Sequence, residues 1–153
     1  MQKNIFYIVF LFFCISISAC KKENAHIGFE ENIKIRMSES IDGVKRTLHL
    51  KCFTEKLFEC FNFGIETTHT ITDNKITVNF IKVIKSSLCS TAGGPAQTTI
   101  QLSSLSNNTY DIEFNFGTSM VRGLFNITTN SFIATLPPQP KVQFENPYLK
   151  RVP

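Results

Sequence analysis

The sequence predicts an all-β domain, an antiparallel immunoglobulin-like β-sandwich of about seven to eight strands, preceded by a short export leader. Three observations carry this. Apolar residues alternate with polar ones at a period of two, turn-forming residues interrupt those runs at short intervals, and no segment has the 3.6-residue periodicity of an amphipathic helix. The chain has 153 residues, 42% apolar and 12% aromatic, with 15 Phe, no Trp and five Cys. That composition supports one compact domain and excludes disordered, collagen-like and coiled-coil architectures. Sixteen Lys and Arg face twelve Asp and Glu, a net charge of +4 with no basic block. Nucleic acid is therefore not an expected partner.

The leader comes first in chain order. One charge at Lys3 is followed by an almost wholly apolar run over residues 5–17, then by Ser18, Ala19 and Cys20. A membrane-spanning helix needs roughly 20 apolar residues, so this run reads as a cleaved secretory signal over residues 1–19. Removing it takes away Lys3 and no acidic residue, leaving fifteen basic and twelve acidic side chains. Eleven Phe remain to build a core.

The sequence Ile17-Ser18-Ala19-Cys20 resembles the lipobox of bacterial lipoproteins. The resemblance implies that Cys20 becomes the first residue after cleavage and carries acyl chains, including palmitate. Two or three such chains make a durable membrane anchor where one would be marginal. The alternative is an ordinary signal peptide cut near Ala19. Residues 20–31 mix charged and small side chains without periodicity, as expected of a solvated tether. Lys21-Lys22-Glu23-Asn24 is similar to the surface-export signal of Bacteroidota lipoproteins, although only Glu23 supplies its acidic part. An outer-membrane anchor facing either the cell surface or the periplasm is expected.

The sandwich should occupy residues 32–153. Leu48, Leu50 and Cys52 alternate with Thr47, His49 and Lys51. Ile76, Val78 and Phe80 do likewise, but Ile81 and Val83 then shift the apolar face, which predicts a bulge or a doubly covered strand. The cleanest alternation is Tyr110, Ile112, Phe114 and Phe116 against Asp111, Glu113 and Asn115. Turns are expected at Asp42-Gly43, Asp73-Asn74, Gly93-Gly94-Pro95, Asn107-Asn108, Gly117 and Pro137-Pro138. Tyr110 follows a polar turn and suits a tyrosine corner, its hydroxyl bonded back to the preceding loop. Together the lipobox, the placement of the cysteines, Cys89-Ser90-Thr91-Ala92-Gly93-Gly94-Pro95-Ala96, the Asn108-Thr109-Tyr110 strand entry and the closing Leu149-Lys150-Arg151-Val152-Pro153 resemble small Bacteroidota lipoproteins with an immunoglobulin-like domain. The resemblance implies location and fold and no substrate.

Export leaves Cys52, Cys60 and Cys89 in an oxidising compartment. If residues 72–75 turn an antiparallel hairpin, positions adding to about 147 face each other, which brings Cys60 near Cys89. A Cys60–Cys89 disulfide is expected, with Cys52–Cys60 the strained alternative. Cys52 shares a face with Leu48 and Leu50 and should be a buried free thiol; an intermolecular disulfide is the other option. His49, Cys52, Cys60 and Cys89 would suit zinc by type, but residues three apart on a strand point to opposite faces, so no metal or other cofactor is expected. His69 lacks an aligned acidic partner and His26 lies in the tether. Asp111 and Glu113 read as solubilising side chains of an exposed face, not as a glycosidase pair.

No catalytic residue is therefore expected. The reading is a lipid-anchored, non-enzymatic envelope protein that binds a protein or glycan. Its candidate contact regions are residues 92–96, centred on Gly93, Gly94 and Pro95, then residues 117–120 and the tail over residues 144–153. The alternative is a protease inhibitor that presents residues 90–95 to a protease cleft.

Overall fold

A computed structural model describes residues 29–89 and 92–151. Its ten strands are β1 (Ile33–Asp42), β2 (Lys45–Phe58), β3 (Gly64–Thr72), β4 (Lys75–Ile84), β5 (Gly94–Ser103), β6 (Asn108–Phe116), β7 (Ser119–Ile127), β8 (Ser131–Thr135), β9 (Val142–Phe144) and β10 (Tyr148–Lys150). The expected leader, Cys20 and His26 lie outside the described residues.

Three hairpins turn on two residues. In each, the first central residue has positive φ: Gly43 at 58°, Asp73 at 52° and Gly117 at 73°. A hairpin turn of this hand matches the twist of its strands. Glycine adopts that conformation without strain, and aspartate tolerates it. All three turns fall where the sequence places them.

The alternation seen in sequence is realised as burial. Ile33, Ile35 and Met37 of β1, Leu48, Leu50 and Cys52 of β2, and Ile76, Val78 and Phe80 of β4 are all buried. Tyr110, Ile112, Phe114 and Phe116 of β6 join them in one continuous core. The face shift after Phe80 is a bulge: Thr67 pairs with Phe80 and Glu66 with Lys82, leaving Ile81 as the extra residue. Ile81 turns outward, and Val83 returns to pack on the core.

The all-β class holds, while strand number and direction differ from expectation. The strands form one sheet in the order β10-β8-β7-β6-β4-β3-β5-β2-β1-β9. It is mixed, because β1 with β9, β4 with β6 and β3 with β5 pair in parallel. β9 and β10 span three residues each, too short to declare themselves by alternation.

These two strands nevertheless determine the shape. They stand at opposite ends of the strand order, yet only residues 145–147 separate them in sequence. Laid flat, ten strands would put those ends roughly 43 Å apart at about 4.8 Å per spacing. Four residue steps cover at most about 15 Å. The sheet therefore curls into a half-barrel, its ends tied by residues 142–150. Glu145 N donates to Ile35 O at 2.9 Å and Ala134 N to Pro147 O at 2.8 Å on the two sides of that tie. Asn146 strengthens it, accepting from Met37 N at 2.7 Å and donating to Met37 O at 2.8 Å.

Candidate interaction surfaces

Strand direction sorts the loops into two ends. One contains the ends of β2, β4 and β6 and the start of β5, and it carries the Cys60–Cys89 bridge. The other contains the turns at residues 43–44, 73–74 and 128–130, and Arg151.

At the first end, Cys60 and Cys89 are bonded with their Cα atoms 5.4 Å apart. The pairing expected from the hairpin register is the one formed: from Thr72 with Lys75 to Thr67 with Phe80, the hairpin keeps the predicted register. Beyond the bulge, residues 59–63 and 85–89 leave the sheet and are stapled there.

The Gly93-Gly94-Pro95 stretch is corrected. It is not an exposed turn, because Gly94 and Pro95 open β5 and pair with Phe58 and Leu57. Gly94 is buried beneath Phe61, where an added Cβ would come within 2.9 Å of the Phe61 Cα. A Cβ on Gly93 would sit 3.0 Å from the Phe58 carbonyl oxygen. Both glycines allow close backbone approach. Phe61 N donates to Ala92 O at 2.8 Å, closing the crossing.

Among the side chains this end exposes are three large apolar ones. Leu88 is 78% exposed, Leu57 70% and Phe61 49%, far more than isolated core-edge residues require. Leu57 lies opposite Pro95 in the ladder, and Asn62 Nδ2 donates to the Leu88 carbonyl, so the segments that carry these side chains meet beside the bridge. The cations around them are paired, Lys56 with Glu31 at 2.9 Å and Lys85 with Glu59 at 2.7 Å. The hydrogen bond and charge of Lys85 pull the Glu59 carboxyl below its ordinary pKa. The rim is thus close to neutral around an apolar centre.

The 117–120 region reaches the same end. Ser119, Met120 and Val121 border a cleft of about 680 Å³, with Pro137, Gln139 and Lys141 on its other side. Lys141 Nζ donates to Phe29 O at 3.0 Å and lies 5.0 Å above the Phe116 ring. Burial draws its pKa down more strongly than Glu31 and Glu30 raise it.

The tail does not join them. Phe144 packs on Phe125 and Phe114, with ring centroids 5.6 and 6.2 Å apart, and Val142 is fully enclosed. Arg151 is buried at the opposite end. It donates to Glu39 at 3.1 Å, Asn107 at 3.0 Å and the Thr128 carbonyl at 2.7 Å, and its guanidinium lies over Phe132. Residues 144–151 close the fold instead of offering a contact loop; residues 152–153 lie outside the described residues. No sequence signal marked Arg151, whose partners lie 23 to 112 positions away.

The chemistry-bearing residues are separated or engaged. His49 Nε2 lies 2.6 Å from Ser40 Oγ on the outer surface, while Cys52 points into the core and donates to Leu50 O. Burial pushes the Cys52 thiol far above its ordinary pKa. Asp111 is exposed, but Glu113 is largely covered and paired with Lys75 at 3.2 Å and Arg122 at 3.1 Å. Burial raises the Glu113 carboxyl, and the bonds and charges of Lys75 and Arg122 outweigh that, for a net lowering. Tyr110 makes the expected corner, its hydroxyl accepting from Ser106 N at 3.1 Å. Among the described residues no group of three or more His, Cys, Asp or Glu could hold a metal ion, and no helix is long and apolar enough to cross a membrane.

No protein-family model, curated protein or solved structure matches the chain.

Proposed function

We propose that the chain is a lipid-anchored, non-enzymatic cell-envelope protein whose bridged end binds a protein or glycan. One observation carries the binding reading. Leu57, Phe61 and Leu88 are exposed on the segments that the Cys60–Cys89 disulfide and the start of β5 hold at one end of the sheet, and the nearby lysines Lys56 and Lys85 are paired. Exposed apolar patches rimmed by polar residues are characteristic of interaction sites. The non-enzymatic part rests on engagement: Cys60 and Cys89 are bonded, the Cys52 thiol is enclosed, and Glu113 is neutralised by two cations. We read the half-barrel as a variant of the immunoglobulin-like sandwich, supported by the Tyr110 corner and by a terminal strand broken to serve both ends of the sheet.

The anchor reading rests on the lipobox. Metabolic labelling with an alkyne fatty acid should mark the protein and lose that mark in Cys20→Ser; equal labelling of both would overturn it. Protease shaving of intact cells then separates surface from periplasmic exposure. For binding, envelope proteins and polysaccharides are to be screened against the wild type and a Leu57→Asp/Leu88→Asp variant. Ligands retained by the wild type and lost by the variant are expected. Retention of every ligand by the variant would move the site elsewhere. The inhibitor reading has no particular observation in its favour, since Gly94 and Pro95 are held in a strand.

A further inference from the structure

The seam between β3 and β5 carries an inference independent of the anchor and of the bridged end. These strands share one paired position, Gly64 with Gln97, where Gln97 N donates to Phe63 O at 3.0 Å. No further β3–β5 pair follows, and among the described residues 67–72 of β3 pair with β4 alone. In a two-residue hairpin the pair flanking the turn is hydrogen-bonded and the pattern alternates thereafter. Thr72, Thr70 and Thr68 therefore bond across to β4. Thr67, His69 and Ile71 direct their amides and carbonyls to the free edge.

Natural edges of this kind are shortened, charged or blocked by proline. β9 and β10, the strands at the ends of the order, are three residues long. The β3 edge reads Thr-Thr-His-Thr-Ile-Thr, six residues without proline, aspartate, glutamate, lysine or arginine. Its side chains are uncovered too: His69 is exposed, and Ile71 is 39% exposed although it shares a face with the enclosed Ile76. The β5 edge differs, since its Ile100 and Leu102 are already buried in the core.

We propose that this edge pairs with the same edge of a second copy of the chain, antiparallel about a two-fold axis through His69. In that register His69 faces His69, and Thr67 faces Ile71 of the second copy. All three outward-directed residues of each copy are then hydrogen-bonded. The face rows match as well, so each Ile71 gains cover from the opposing strand. Charge favours the same occupant. The nearest acidic residues, Glu66 and Asp73, fall opposite Thr72 and Ile65 of the second copy, so no like charges meet. Glu66 is already paired with Lys82 at 3.2 Å. A contact of about five residues per copy, over positions 67–71, is small and makes a weak, reversible dimer.

The register is testable by position. A hydrogen-bonded antiparallel pair has Cα atoms about 5.5 Å apart, within the range a disulfide spans. In the full-length protein in detergent, His69→Cys should form a covalent dimer on mild oxidation. Thr70→Cys, which faces Thr68, should not. Sedimentation equilibrium of the wild type should show a monomer–dimer equilibrium, weakened at least about tenfold by His69→Asp, which sets like charges against each other on the axis. A wild type that stays monomeric at about 100 μM would overturn the proposal. So would equal crosslinking of the two cysteine variants, or open-ended oligomers, which signify β3 pairing with β5 of the next molecule. Thermal melts at the wild-type midpoint are expected for these exposed substitutions, so that a lost dimer is distinguished from a lost fold.

Discussion

The two ends of the half-barrel are held by different means. The bridged end is joined by one covalent bond and close glycine contacts, and it leaves Leu57, Phe61 and Leu88 in solvent. The other end has no covalent tie and instead encloses a charged residue. Arg151 gathers β1, the 105–107 loop and the 128–130 turn around one guanidinium, with Arg46 on the far oxygen of Glu39 at 3.3 Å. A staple holds backbone segments without covering them, so it can coexist with exposed apolar side chains. The buried Arg151–Glu39 pair instead sits among the segments it joins, while Val44 and Ile41 at the same end remain in solvent, so apolar exposure alone does not separate the two ends. What separates them is the covalent tie at one and the enclosed charge at the other.

Removing the charge at the enclosed end should have the largest effect. Arg151→Ala leaves Glu39 and the Thr128 carbonyl with fewer partners and should cost about 3 to 5 kcal/mol, read from the urea midpoint. Next comes the staple: Cys89→Ser opens a loop spanning 29 positions and should cost about 3 to 4 kcal/mol in the chain-entropy account. If the bridged end is stapled more than packed, that loss should lie mainly in a stabilised unfolded state, with little change in near-UV spectra of the folded protein. Tyr110→Phe removes the corner and strands the Ser106 amide, for about 1 kcal/mol. Leu57→Asp/Leu88→Asp should change stability by only about 0.5 kcal/mol per site, because neither side chain is buried. A large loss there would show that these residues pack and would weaken their assignment to binding.

A pH titration supplies a further contrast in the middle of the sheet. The folded Glu113 carboxyl lies below its unfolded value, so its contribution is present above the ordinary carboxylate pKa and is lost as pH falls through the folded one. Urea midpoints between neutral and acid pH should decline less steeply for Glu113→Gln than for the wild type.

The elements legible in the sequence are those whose own residues declare them. β6 announces itself because four apolar side chains alternate without interruption, and the bulge at Ile81 because the apolar face shifts within one strand. The Cys60–Cys89 pairing follows from the turn at Asp73 and Asn74, since register near a tight turn is local arithmetic. β9 and β10 are not legible, because three residues contain no period and their partners, Ile33 and Ile133, supply the definition. The same holds for the surfaces. Gly93 and Gly94 read as a turn by composition, but the closeness of Phe58 and Phe61 is what requires glycine there, and only the fold brings those residues near.

The tie formed by residues 142–150 also bears on the order of events in folding. β1 is made first and β9 nearly last, yet they pair, Ile33 with Val142. Contacts of such sequence separation form slowly because the intervening chain must be ordered or looped first. A nascent chain with β1 to β8 in place still lacks the strand that joins its two sides and remains an open sheet. The half-barrel is thus completed only when β9, among the last of its strands to be made, reaches β1.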